Sequence, residues 1–134
     1  MSDCIFCRII AGAAPAYVIA EDDRVIVFLS LENHPLIVPK AHIPNLYTLP
    51  PELGAAVMEW SVVIANAVKR ALACEGIYVT QANEPAAAQD VFHYHMHIYP
   101  RWFAAGRSAQ YATVASAESK QHTLDLIRQA LTQG

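Results

Sequence analysis

Basic residues are scarce in this 134-residue chain. Nine Lys and Arg stand against twelve Asp and Glu, a formal net charge of −3. That balance argues against a basic nucleic-acid surface, but not against a small phosphorylated ligand, which needs only local donors. Long apolar runs are missing too. The longest clear one, Val25 to Leu29, is far too short to span a bilayer, so no membrane partner is expected. The N-terminus shows no basic segment followed by an apolar stretch, so no secretory leader is read and a cytoplasmic location is expected. Cysteine is limited to three, an odd number, two of them in Cys4-Ile-Phe-Cys7. Without an export signal, that pair reads as metal or thiol chemistry rather than a disulfide framework.

Apolar residues, by contrast, are plentiful, at 54% against 16% charged. This is enough to fill a core and excludes a disordered chain. A chain of this size buries roughly two-thirds of its unfolded surface, and the apolar excess suggests a subunit interface as well. Repeats, low-complexity linkers and composition shifts are absent, so one domain over 1–134 is expected.

Hydrophobic periodicity divides the chain into elements. Residues 4–11 suit a short helical turn, broken by Gly12 to Pro15. Tyr17–Ala20 and Val25–Leu29, around the charged turn Glu21 to Arg24, read as a hairpin. A short strand over Leu36–Val38 is stopped by Pro39. The best helix runs from Pro51 to Cys74, with Pro50 and Pro51 at its first turn and Gly76 as its C-terminal cap. Leu53, Val57, Trp60, Ile64 and Val68 form one apolar stripe. Ala55, Val62, Val63 and Ala67 add apolar surface off the stripe, which fits either a wide buried face or a second subunit. Ile77–Thr80 reads as a strand, Gln81–Gln89 as a loop, Gly106–Thr113 as ambiguous, and Ser116–Thr132 as a last helix with Leu124, Ile127 and Leu131 on one face. The class is α+β: a mainly antiparallel sheet of about five strands with one long helix and a C-terminal helix.

Most informative is the run Asp90-Val-Phe-His93-Tyr-His95-Met-His97-Ile-Tyr-Pro-Arg101. Three histidines alternate with Tyr94, Met96 and Ile98, the period of a strand, so all three project from one face. Imidazole binds metals, moves protons and forms covalent phosphoryl intermediates near neutral pH. Strand geometry alone leaves three readings open: a zinc site using all three rings, a surface cluster, or a phosphoryl-transfer site with one imidazole as nucleophile.

The run, with three further segments, resembles the histidine triad family of nucleotide hydrolases and transferases. The segments are Asn83 to Phe92, similar to an asparagine-to-glutamine phosphate loop; Asn33-His34 through Pro39-Lys40-Ala41-His42; and Cys4-Ile-Phe-Cys7-Arg-Ile. Together they cover residues 4 to about 102, leaving 103–134 as a C-terminal extension. The resemblance implies that His95 attacks the α-phosphorus of a nucleotide, that His97 donates to a phosphate oxygen, and that His34 completes the cluster. It also implies that Asn83, Gln89 and the amides of Ala87 and Ala88 contact the transferring phosphate. Substrates would be dinucleoside polyphosphates or nucleoside phosphoramidates, and the partner a second copy paired through helix 51–74. Two features set this chain apart. Pro85 and Ala86 to Ala88 replace small glycines in the phosphate loop, and the segment from Phe28 to His34 is shortened, which leaves Ser30, Glu32 or Asn33 to approach the ribose.

The resemblance further implies one structural zinc per chain held by Cys4, Cys7, His42 and His93, with four protein ligands and no open position. Cys74, without a partner in sequence, is expected to pack. A different class remains beside the enzyme: a nucleotide-binding regulatory or scaffold protein with little turnover. A third reading is a metalloenzyme using the three triad histidines.

Overall fold

Two short hairpins and a returning strand build the sheet that carries the histidines. The computed structural model describes residues 3–103 and 115–133, so the whole of the ambiguous stretch Gly106–Thr113 lies outside the described residues. β1 (Val18–Glu21), β2 (Val25–Leu29), β3 (Pro35–Pro39), β4 (Gly76–Thr80) and β5 (Met96–Arg101) form one antiparallel sheet in the order β1-β2-β3-β5-β4. Asp22 closes the first hairpin: its carboxylate accepts from the amides of Arg24 and Val25 at 2.8 Å each and from the Trp60 indole at 2.8 Å. β2 and β3 are buried throughout, as expected of strands covered on both faces. Both prolines of β3 sit at its ends, where a missing amide disrupts least.

α2 (Pro51–Leu72) and α3 (Ala117–Gln133) cover one face of the sheet. Val57, Ile64, Ala67 and Val68 of α2 meet Leu124, Ile127 and Ala130 of α3 and Val25, Val27, Ile37, Tyr94 and Ile98 of the sheet side. Ser116 caps α3, its hydroxyl accepting from the amide of Ser119 at 3.0 Å. α1 (Ile5–Ile10) lies on the opposite face, where Phe6 packs with Ile26, Phe28, Leu36 and Val38. Cys74 is buried in the larger core, a packing residue as expected. No helix among the described residues is long and apolar enough to cross a membrane.

Two expected boundaries move. α2 ends at Leu72, and Ala73, with φ 49°, takes the left-handed position assigned to Gly76. The sheet claims the residues beyond: the Glu75 amide donates to the Arg101 carbonyl at 2.9 Å, and Gly76 opens β4 opposite Arg101. The histidine run also enters its strand later than its alternation suggests. β5 pairs with β3 only at Leu36–His97 and Ile37–Met96. His93 and His95 precede it, because there the chain bonds through the Tyr94 amide to the Ile43 carbonyl at 2.6 Å instead of a ladder. The alternation of faces survives: Tyr94 and Ile98 enter the core, and Met96 Sδ lies 3.3 Å from the Ser61 hydroxyl of α2.

Candidate functional site

His93, His95 and His97 face away from α2, and the edge of the Phe6 ring meets both His93 and His95. His95 is buried, and its Nδ1 lies 2.8 Å from the His93 carbonyl. A carbonyl only accepts, so Nδ1 carries the hydrogen and Nε2 keeps its lone pair. Burial pushes the His95 pKa below its usual value, against the His93 carbonyl and Asp90, which pull it up. The ring is thus neutral near pH 7, with a nucleophilic nitrogen. His34, at the N-terminal end of β3, is brought to the same cluster: its Nε2 lies 2.9 Å from His97 Nδ1, and its Nδ1 lies 2.9 Å from the Ser30 hydroxyl. Burial, then the neighbouring charges of His97 and His95, lowers the His34 pKa to about 3; burial and His95 lower that of His97 to about 4.

Two clefts flank the cluster. One, of about 390 Å³, is lined by Cys4, Ile5, His42, Asp90, Val91 and Phe92 among others. The other, of about 250 Å³, is lined by Glu32, Asn33, His34, Tyr99, Trp102 and Thr123 among others.

His93 turns elsewhere. Its Nε2 donates to the Pro39 carbonyl at 2.7 Å, which aims the Nδ1 lone pair at Cys4 Sγ, 3.4 Å away, and Cys7 Sγ, 3.6 Å away. His42 Nδ1 lies 3.2 Å from Cys7 Sγ. The four ligand atoms all fall within 4.8 Å of one another. Sulfur and nitrogen bonded to one tetrahedral zinc at their usual lengths stand ~3.6 Å apart, so this set fits such an ion. The second ring nitrogen of His93, fixed on a carbonyl, is the outer partner such a ligand normally has. The three triad histidines do not converge: one joins the cysteines, one the His93 carbonyl and one His34, which argues against all three binding one metal.

The loop before the triad is bonded to itself. The Ala87 and Ala88 amides are already bonded, to the Glu84 carbonyl at 3.0 Å and the Pro85 carbonyl at 2.9 Å, in a 3₁₀ turn over Pro85–Ala87. Gln89 is buried; its side-chain oxygen accepts from the Glu84 amide at 2.7 Å, and its nitrogen donates to the carbonyls of Pro44 at 2.7 Å and Val91 at 3.1 Å. With these bonds made, the hydrogens of the three residues hold the loop itself in the tight turn that begins at Pro85. Asn83 accepts from the Leu46 amide at 2.8 Å and donates to Gln81 at 3.2 Å, keeping one amide hydrogen. Of the ribose candidates, the Ser30 hydroxyl is committed to His34 and the Asn33 side-chain nitrogen donates to the Thr123 hydroxyl at 2.9 Å, while Asn33 Oδ1 makes no hydrogen bond among the described residues; Glu32 and Asn33 both line the 250 Å³ cleft.

Sequence reasoning missed three neighbours. Asp90 places an oxygen 3.9 Å from His95 Nε2. Tyr99 stacks on His97 and lies against His34 at a centroid distance of 4.0 Å. Continuing the period of 93, 95 and 97 by one step finds Tyr99; nothing in the sequence places Phe6 against His93 and His95.

A profile of the HIT domain matches residues 11–103. The protein hit of Bacillus subtilis is 39% identical over 104 residues, covering 75% of this chain and 72% of that protein. The adenylylsulfatase HINT3 of Arabidopsis thaliana is 34% identical over 133 residues, 96% of this chain but 64% of the longer relative. Among solved structures, a Zn-bound histidine triad family protein from Mycobacterium smegmatis superposes with a TM-score of 0.86 at 31% identity, covering 98% of this chain and 95% of that one. A Hit-like protein from Bartonella henselae gives 0.86 at 33% identity, covering 97% and 98%. The matched span runs from the first hairpin through the histidine run, and on that ground the chain belongs to the HIT family.

Proposed function

We propose that this chain is a nucleotide hydrolase or nucleotidyl transferase acting at the α-phosphate of dinucleoside polyphosphates or nucleoside phosphoramidates. The hydrogen bond from His95 Nδ1 to the His93 carbonyl carries the reading, because it leaves a buried neutral imidazole with a lone pair on Nε2. In the first step Nε2 bonds to the α-phosphorus as the bond from phosphorus to the leaving oxygen or nitrogen breaks. In the second, water or another acceptor displaces His95, releasing the nucleotide and restoring the neutral ring. His97 donates to a phosphate oxygen, and His34 supports it. Asn83 contributes its remaining amide hydrogen. Positioning and charge stabilisation supply most of the rate in such transfers.

Cys4, Cys7, His42 and His93 would hold one zinc. Its chemistry is structural: four protein ligands tie α1 to the approach of β5, leaving no position for substrate or water. Homodimerisation is supported by the outer face of α2, where Met58, Val62 and Val63 are 47–56% exposed. Three unpaired cysteines suit a cytoplasmic location.

One observation favours a second reading, a nucleotide-binding protein with little turnover: the Ala87 and Ala88 amides are bonded within their own turn. One experiment separates the two. Brief incubation with an adenosine phosphoramidate, quench in alkaline denaturant and peptide mass measurement kept at alkaline pH should find adenylate on the peptide carrying His95. Nucleotide binding without adduct or turnover would leave only the second reading.

A further inference from the structure

We infer that Ser30 is a positioning residue that, acting through His34, holds His97 in the form presenting an Nε2 hydrogen to a bound phosphate. The inference deepens the reading of His97 as the phosphate donor and rests on it. It follows from counting hydrogens. A hydroxyl offers one hydrogen and two lone pairs. At Ser30 both lone pairs are engaged, by the amides of Glu32 and of His34 at 3.2 Å each. The hydroxyl hydrogen is then the only bond it can make to His34 Nδ1, 2.9 Å away, so Nδ1 is an acceptor.

A neutral imidazole whose Nδ1 accepts carries its hydrogen on Nε2. His34 Nε2 therefore donates to His97 Nδ1, at 2.9 Å. The Tyr99 hydroxyl also lies 3.4 Å from this nitrogen. His97 Nδ1 is an acceptor in turn, and its hydrogen sits on Nε2. His95 has the opposite arrangement, with Nδ1–H bonded to the His93 carbonyl and Nε2 bare. Two rings of the same chemistry, two residues apart, are thus set as nucleophile and donor by what their Nδ1 atoms meet.

The backbone explains why residue 30 can do this. The Ser30 amide donates to the His34 carbonyl at 2.8 Å, and the Asn33 amide donates to the Ser30 carbonyl at 3.0 Å. With Asn33 at φ 75°, this is the three-residue hairpin loop of a turn followed by a left-handed residue. It sets Ser30 and His34 opposite each other and turns the Glu32 and His34 amides onto the hydroxyl. A carboxylate at position 30 would accept from His34 Nδ1 and reverse every bond in the chain, leaving His97 Nε2 without a hydrogen.

Long-range nitrogen–proton NMR spectra of the imidazoles at neutral pH, in the full zinc-loaded chain, test this directly. Wild type and Ser30→Thr should show His34 and His97 each in a single form, protonated on Nε2. Ser30→Ala should show His97 as a mixture, with kcat on an adenosine phosphoramidate down about tenfold and KM changed far less. A wild-type His97 protonated on Nδ1, unchanged forms in Ser30→Ala, or an altered form with unchanged kcat would each overturn the inference. The spectra need no turnover, so they decide the hydrogen-bond chain even if the adduct experiment fails.

Discussion

His95 has little else to do in the fold that another ring could not do. Its bond to the His93 carbonyl closes over two residues, and its packing is an edge contact with Phe6. His95→Ala should therefore retain the fold and nucleotide binding while losing several orders of magnitude in kcat, because water does not replace a covalent nucleophile. Steady-state rates with binding by titration calorimetry check this; a variant keeping most of its activity rules out the nucleophile. His34 carries a stability consequence. Its pKa falls from 6.5 to about 3 on folding. Between those values the unfolded chain holds a proton on His34 that the native chain does not. The unfolded state then binds more protons, so stability rises with pH across this window and is lost as the solution is acidified. One such proton is worth about 1.4 kcal/mol per pH unit at most. Denaturant titrations between pH 4 and 6 should give a shallower dependence for His34→Asn than for wild type by up to about that amount; equal slopes would show that His34 is not held neutral.

Among the elements, α1 depends most on something outside itself. At six residues it is too short to be stable alone. Phe6 anchors it beneath the sheet, and Cys4 and Cys7 reach His93 and His42. Metal binding at such a cluster contributes directly to folding. Removing zinc with a chelator, or Cys7→Ser, should lower Tm by roughly 10 °C while leaving measurable turnover at low temperature. Turnover that vanishes on chelation and returns with zinc, at a temperature where the stripped protein is folded, would make the metal catalytic. The β2–β3 hairpin is the second such element. Its three-residue loop sets the Ser30 hydroxyl 2.9 Å from His34 Nδ1.

For the whole molecule, the exposed apolar surface bears on assembly. The outer face of α2 presents Met58, Val62 and Val63, and the edge strand β4 presents Tyr78 and Val79, all near half exposed. An edge strand and an apolar helix face are what a second copy covers. Sedimentation at micromolar concentration should give twice the chain mass, and Val62→Glu should shift it toward monomer by burying a charge in the interface. A wild-type chain that sediments as monomer refutes the pairing.

Much of this was legible in the residues because it depends on period and covalent spacing. Alternation around His93 to Ile98 placed three imidazoles on one face, the stripe from Val57 to Val68 marked the face of α2 that packs, and Cys4-Ile-Phe-Cys7 set two thiols close together. Those patterns are local, and local sterics enforce them whatever surrounds them. The tertiary structure decided what depends on neighbours distant in the chain. Gly76 was lost as a helix cap because β5 drew it into a strand. The Ala87 and Ala88 amides turned inward because Pro85 begins a tight turn. Above all, four histidines with identical side chains differ in the atom facing each Nδ1: a cysteine sulfur for His93, a carbonyl for His95, a hydroxyl for His34 and another imidazole for His97. A sequence specifies how many imidazoles there are and on which face; which nitrogen holds the hydrogen is set only when folding brings a donor or an acceptor within 3 Å or so of it.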